Sequence, residues 1–252
     1  MKEDFTDFIE ASGLLTYDPE TISKIYQKNP KRLFKRLWQT LIPIFAFIFS
    51  VGWDKLTGKL KIEEQARSRA KQLTNLLVEL GPAFVKAGQA LSTRPDIIPV
   101  ILLEELSQLQ DQLPGFDGNK AMELIEEDLN SEIKDIFISI DKEPISAASL
   151  GQVHKATLKN NDVVAVKVQR PGLREQITLD LYIVRNIAYW LKNNIGLIRS
   201  DLVALIDELG KRVFEEMDYL NEAENAEKFR NMHKHNKKIA VPKIYKEITS
   251  RR

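Results

Sequence analysis

Residues Pro144–Gly172 read PISAASLGQVHKATLKNNDVVAVKVQRPG, and this stretch decides the fold. Two runs in it, Gly151–Leu158 and Asp162–Gln169, are rich in β-formers, and Lys159-Asn160-Asn161-Asp162 between them has turn chemistry, so they predict a hairpin. A loop of small residues, Ser146-Ala147-Ala148-Ser149, precedes the hairpin and closes on Gly151. Small side chains let backbone N–H groups approach a ligand, and Lys167 is a cation that a strand can aim at phosphate oxygens. A lysine on a strand edge that simply faces water is the plain alternative.

Working outward, Ile136–Ile140 (IFISI) reads as a further strand, as does Val241–Tyr245 near the C-terminus, so residues 136–252 predict an antiparallel sheet with helices. The helical patterning there covers 174–194 and 201–230. On the other side, Ala66, Ala70, Leu73, Leu76, Leu77 and Leu80 recur at helical spacing up to Gly81-Pro82. A second helix runs to Arg94-Pro95, a third spans Pro99–Gln112 with a leucine stripe, and a short amphipathic one spans Asn119–Leu129. These make 61–135 a helical extension, preceded by a loosely attached helical lead-in over 1–60. The expected fold class is α+β.

Composition narrows the function classes. Lys plus Arg number 37 against 36 acids, a net charge of +1, and no aromatic-basic interleaving is visible, so nucleic acid is not an expected partner. There are no cysteines and three histidines, His154, His233 and His235, scattered in a way that does not suggest a zinc site. Charge is nonetheless uneven. Lys24, Lys28, Lys31, Arg32, Lys35 and Arg36 precede the apolar run Leu37–Trp53, and no acid falls between Thr21 and Trp53. Residues 24–53 therefore suit an anionic membrane face, while a buried or docking helix stays open as the alternative.

The loop and hairpin have the frame of a kinase phosphate loop. In that pattern glycines at the first, third and sixth positions precede x-Val, and a strand follows that ends in Val-Ala-x-Lys. Here Ser146, Ala148 and Gly151 take the glycine positions, Gln152-Val153 follow, and Val164-Ala165-Val166-Lys167 ends the pair. Lys86 and Gln89 are spaced to share a helix face, with Gly88 beside them permitting close backbone approach. Further on, Glu215, Asp218 and Glu222 fall on one stripe of a continuous helix and repel one another. Lys86, Lys167 or a nucleotide-bound Mg²⁺ could answer that charge, as could solvent. Glu216 and Asp218, two apart, cannot face one ion from a regular helix.

Three signatures carry a resemblance: Ser-Leu-Gly-Gln-Val-His at 149–154, Lys86-Ala87-Gly88-Gln89 as KxGQ, and Glu216-Met217-Asp218 as ExD. With them, residues 62–250 resemble the UbiB/ADCK (AarF-type) atypical protein kinases. The resemblance implies a KxGQ extension over a kinase small lobe binding ATP or ADP with Mg²⁺. It implies nucleotide contacts from Ser146, Ala147, Ala148, Ser149, Gly151, Val153, Ala165, Lys167 and Glu222, with Glu222 paired to Lys167. Lys86, Gly88, Gln89, Glu216 and Asp218 would form a regulatory cap over the nucleotide. Family members act in isoprenoid-quinone or lipid metabolism at membranes, which implies a cytoplasmic or organellar, membrane-linked setting. A catalytic-loop Asp, a metal-binding Asn and an Asp-Phe-Gly are not found in these 252 residues, so no complete catalytic set is expected from them. A non-catalytic docking or scaffold protein with a vestigial nucleotide site is the rival expectation.

Overall fold

The computed structural model describes residues 13–110, 113–195 and 201–252. In chain order the first elements are α1 (Pro19–Gln27), α2 (Pro30–Leu56), α3 (Glu63–Leu80), α4 (Pro82–Ser92) and α5 (Val100–Ser107). Then come α6 (Gly118–Leu129), the single turn α7 (Ile133–Ile136), β1 (Phe137–Ile140), β2 (Ser146–Ala147), β3 (Gly151–Leu158) and β4 (Val163–Gln169). The last are α8 (Leu173–Ile195), α9 (Leu202–Glu216) and α10 (Tyr219–Met232). Helices beside a small antiparallel sheet make the α+β class. The chain divides into two compact units, one holding residues up to Pro114 with Gly172–Gly210, the other Gly115–Pro171 with Lys211–Arg252.

The first unit is helical. Helix α3 ends where the periodicity predicts, because Gly81 adopts φ +110°, a left-handed conformation open to glycine, and Pro82 starts α4 at once. The leucine stripe after Pro99 forms α5 and a 3₁₀ turn at Gln108–Gln110; residues 111–112, where the third helix was expected to end, lie outside the described residues. Val85, Leu106 and Leu109 are buried together, with Leu77, Val78 and Leu102 packed around them.

The lead-in corrects one expectation. Its residues 1–12 lie outside the described ones, but α1 is not loosely attached: Ile22, Ile25 and Tyr26 are buried, and the Tyr26 hydroxyl meets Thr178 Oγ1 of α8 at 2.7 Å. Amphipathic α1 had an apolar face to bury, and α8 supplies the surface. Helix α2 continues through Pro43, and Arg36 on it makes a two-pronged ion pair with Asp180 of α8, at 2.7 and 2.9 Å. Arg36 also donates to the Leu80 carbonyl at the end of α3.

The second unit centres on β3, which pairs with β4 on one edge and with β1 and β2 end to end on the other, all antiparallel. The hairpin has the predicted turn, with Asn161 in the left-handed region at φ 67°. Alternation puts Val164, Val166 and Val168 of β4 and Ala156 and Leu158 of β3 on the core face. There α6 covers them with Ala121, Met122 and Ile125. Helix α6 thus packs on the sheet rather than with the helices before it.

Two strand assignments change. Ser146–Ala147 pairs with β3 as the short β2, a run too small to read from sequence. Val241–Tyr245 is not a strand; Pro242 removes a backbone donor there, and the chain proceeds to a 3₁₀ turn at Lys246–Ile248. Tyr245 and Ile248 pack on the core instead, and the Gln169 N–H at the end of β4 donates to the Arg252 carbonyl at 2.9 Å. Residues 201–230 are likewise not one helix, for α9 stops at Glu216 and α10 begins at Tyr219.

Candidate functional site

The sheet face opposite α6 presents the sequence-predicted nucleotide residues. On β4, Ala165 and Lys167 alternate with the half-buried Val164 and Val166 and the buried Val168 and stay exposed, and on β3 the register sets Val153 opposite Lys167 and Lys155 opposite Ala165. The loop closes this face at one end. Ser146 lies opposite Val153, Ala148 N–H donates to the Gly151 carbonyl at 2.8 Å, and Ser149 is buried. Arg170, just past the run Asp162–Gln169, steadies the loop. Its Nε and Nη2 donate to the Ala148 carbonyl at 3.1 and 2.9 Å, and its backbone N–H donates to Leu150 O at 3.0 Å.

Glu222 reaches Lys167 from α10: Nζ to Oε2 is 2.6 Å, the ion pair that the kinase pattern predicts. At 43% and 55% side-chain exposure the pair contributes no more than about 1 kcal/mol to folding. Its consequence is positional. It points the ammonium along the open face, and the Tyr219 ring, 4.3 Å from Nζ, supports it from below.

The helix break explains how Glu222 gets there. Gln169, buried at the end of β4, donates from Nε2 to the carbonyl of Met217, which has no helical partner once α9 stops. Asp218 then starts α10 as its N-cap, its carboxylate accepting from Asn221 N–H at 3.3 Å. It also lies 3.9 Å from Arg251 Nε. Glu215, Asp218 and Glu222 therefore do not share one continuous stripe as the spacing suggested. Glu216 ends one helix and Asp218 precedes the next, the backbone irregularity that lets residues two apart escape regular helical geometry.

The KxGQ residues sit in α4 of the helical unit. Gly88 is buried, and a Cβ there would meet Leu109 and Leu77 side chains at 2.6 and 2.8 Å, so its smallness serves helix packing. Gln89 donates from Nε2 to the Leu109 carbonyl at 2.8 Å. Lys86 is partly buried on the same helix.

Among the histidines, His154 is fully buried on β3, Nδ1 lying 2.8 Å from Asp141 O and Nε2 3.0 Å from Gln152 Nε2. Because the Gln152 amide nitrogen must donate, the ring takes its proton on Nδ1 and donates to Asp141 O. Gln152 is itself fully buried, and its Oε1 accepts from Phe116 N–H at 2.8 Å, tying the start of the unit to β3. Glutamines at strand positions carry no mark in sequence that separates such pins from surface residues. Among the described residues, no group of three or more His, Cys, Asp or Glu side chains could hold a metal ion.

A strand-borne lysine paired with a helical glutamate beside a small-residue loop is the arrangement of a kinase small lobe, and comparison with known proteins agrees. Residues 108–252 match the family model of the ABC1 atypical kinase-like domain. A Synechocystis protein is 48% identical over 94% of this chain and 34% of its own length. ACTIVITY OF BC1 COMPLEX KINASE 3, a chloroplastic protein of Arabidopsis thaliana, is 41% identical over 94% of this chain and 33% of its own. A chloroplastic aarF domain-containing protein kinase of the same plant is 45% identical over 96% and 34%. Among solved structures, a Mycobacterium tuberculosis protein in complex with erythromycin is 32% identical, with a TM-score of 0.42, over 73% of this chain and 45% of that one. The chain spans about a third of the length of the curated relatives named here. By its paired Lys167 and Glu222, and by the match over 108–252, the chain belongs to the ABC1 atypical kinase-like family.

Proposed function

We propose that this chain is the ATP-binding portion of an ABC1-type atypical kinase or ATPase. The observation that carries the reading is the Lys167–Glu222 pair on the open face of the sheet, beside a loop whose Ala148 and Gly151 bring no bulk. Lys167 would neutralise phosphate charge, Ser146–Gly151 would approach the phosphates with backbone, and Val153 and Ala165 would form the floor beneath the base. In this reading Lys86, Gln89, Glu216 and Asp218 belong to the cap that the family signature implies. Mg²⁺ would be held largely by the phosphate oxygens of the nucleotide itself, with one or two carboxylates completing its shell.

Calorimetry with Mg-ATP and Mg-ADP, run beside a phosphate-release assay, tests this. The 252-residue chain is expected to bind weakly and turn nothing over, and Lys167→Ala to weaken binding by about tenfold, the loss of a charge-assisted contact. Restoring glycine at Ala148, an exposed loop position, is expected to change affinity or ATP/ADP preference without producing turnover. Turnover that vanishes in Lys167→Ala would refute the expected lack of catalysis, and no binding at millimolar nucleotide would favour a scaffold.

A second reading, membrane docking, rests on the outer face of α2. Phe34, Trp38, Ile42, Phe45, Phe49 and Trp53 recur at helical spacing and are each more than half exposed. Helix α2 is also long and apolar enough to cross a membrane by length and composition. Beside it, Leu33 and Leu37 line an apolar cleft of about 290 Å³ with Ile183, Ile187 and Trp190 of α8. Lys28, Lys31 and Lys35 are exposed at its N-terminal end, whereas Arg32 and Arg36 are engaged with Glu175 and Asp180. We infer that the helix rests on an anionic bilayer surface through this stripe. Because α2 also carries internal ion pairs, point variants test this better than deletion. Phe45→Glu with Phe49→Glu should abolish co-sedimentation with vesicles containing anionic lipid and leave the melting temperature unchanged. Equal binding by the variant, or none by the intact chain, would reject the docking.

A further inference from the structure

Tyr219 is buried at 7% exposure, and its hydroxyl is one of two buried side-chain polar atoms that make no hydrogen bond among the described residues. An unpaired buried hydroxyl is destabilising, and a phenylalanine would fill the same space without that penalty. The surroundings show what the oxygen faces. A Cβ on Gly151 would stand 2.7 Å from it, so the hydroxyl lies directly beneath the backbone of the loop's last small residue. The same ring holds Lys167 Nζ 4.3 Å from its centroid. The hydroxyl is therefore sited between the loop and the cation that the nucleotide reading assigns to phosphate.

We propose that Tyr219 is a phosphate-side hydrogen-bond donor of the nucleotide site, whose acceptor is an oxygen of a phosphoryl group drawn to Lys167. This rests on the nucleotide reading and adds a residue that the kinase motifs do not name. Burial, and then the carboxylates of Glu222 and Glu216, push the phenol's pKa up, so it stays a donor wherever the nucleotide is bound. Glu222 already takes the Lys167 ammonium, leaving the anionic ligand as the acceptor both groups can share. An acceptor reaching this oxygen passes Gly151, where a Cβ would stand 2.7 Å from it. Glycine there has no Cβ to block the approach.

Tyr219→Phe keeps the ring and its contact with Lys167 and deletes only the hydroxyl. Binding of Mg-ATP, Mg-ADP and adenosine to the intact chain and to the variant would be measured by calorimetry, with thermal melts in the absence of nucleotide. The variant should melt at the same or a higher temperature and bind Mg-ATP about tenfold more weakly, while adenosine binds equally to both. Unchanged Mg-ATP affinity, an equal loss for adenosine, or a lower melting temperature without ligand would each overturn the assignment. If the intact chain binds no nucleotide, the nucleotide reading fails and this proposal with it; if it binds and the variant matches it, only this proposal fails.

Discussion

Arg36→Ala is expected to lower folding stability by about 3–5 kcal/mol, the loss that follows when one member of a buried ion pair is removed. Asp180 has no exposed side-chain surface, and its carboxylate takes both prongs of Arg36. The same guanidinium caps the carbonyl of Leu80, so the substitution strips Asp180 of its cation and leaves Leu80 O with only the longer contact from Gln176 Nε2 at 3.5 Å. The pH dependence follows from Asp180. Burial pushes its carboxyl above the usual value, and Arg36 is what pulls it back. With Arg36 gone only the upward push remains. A group whose folded pKa is raised favours the folded state below its unfolded pKa and loses that contribution as pH rises through the folded value. The deficit of the variant relative to the parent should therefore shrink on acidification. Urea denaturation of both chains at neutral pH and at about pH 5 would show it. A deficit under about 1 kcal/mol, or one that grows in acid, would rule out this account.

Gly151→Ala should be the most damaging single-methyl change at the nucleotide face. Its Cβ would stand 2.4 Å from the Val168 carbonyl and 2.7 Å from the Tyr219 hydroxyl. No positive φ is involved, so the penalty is steric, and the nearer obstacle is backbone. Overpacking costs typically about 1–3 kcal/mol, and here the upper end is expected because a carbonyl moves only with its strand. Gly151 faces Gln169 and Val153 faces Lys167, so splaying this end of the hairpin displaces the lysine and its bond to Glu222. Loss of nucleotide binding should accompany the loss of stability. By contrast, Gly88→Ala meets only the ends of leucine side chains, which can turn aside, and gains helix propensity, so its cost should be smaller. Denaturation of the two variants side by side would separate the cases. Gly151→Ala retaining full stability and affinity would contradict the tight approach of loop and α10.

The sequence by itself determined the hairpin, its turn and the position of Lys167, because period-two alternation and Asn-Asp turn chemistry are local effects. It also determined the end of α3, where Gly81 and Pro82 act within a few residues. The family was legible for a related reason: the Ser-Leu-Gly-Gln-Val-His, KxGQ and ExD signatures are short runs that the chain itself displays. Tertiary structure decided the rest. Whether residues 201–230 form one helix depends on Gln169, distant in sequence, which offers the Met217 carbonyl a partner and makes a break affordable. Val241–Tyr245 does not extend the sheet, and at the end of β4 it is the distant Arg252 carbonyl that takes the Gln169 N–H. The basic cluster before the apolar run Leu37–Trp53 looked uniform in sequence, yet Asp180 and Glu175 on α8 withdraw Arg36 and Arg32 from it. The orphaned hydroxyl of Tyr219 could not be read from composition or spacing, because an unpaired group is defined by every neighbour that fails to reach it. Pairing, burial and desolvation are sums over residues far apart in the chain, and only the folded chain performs them.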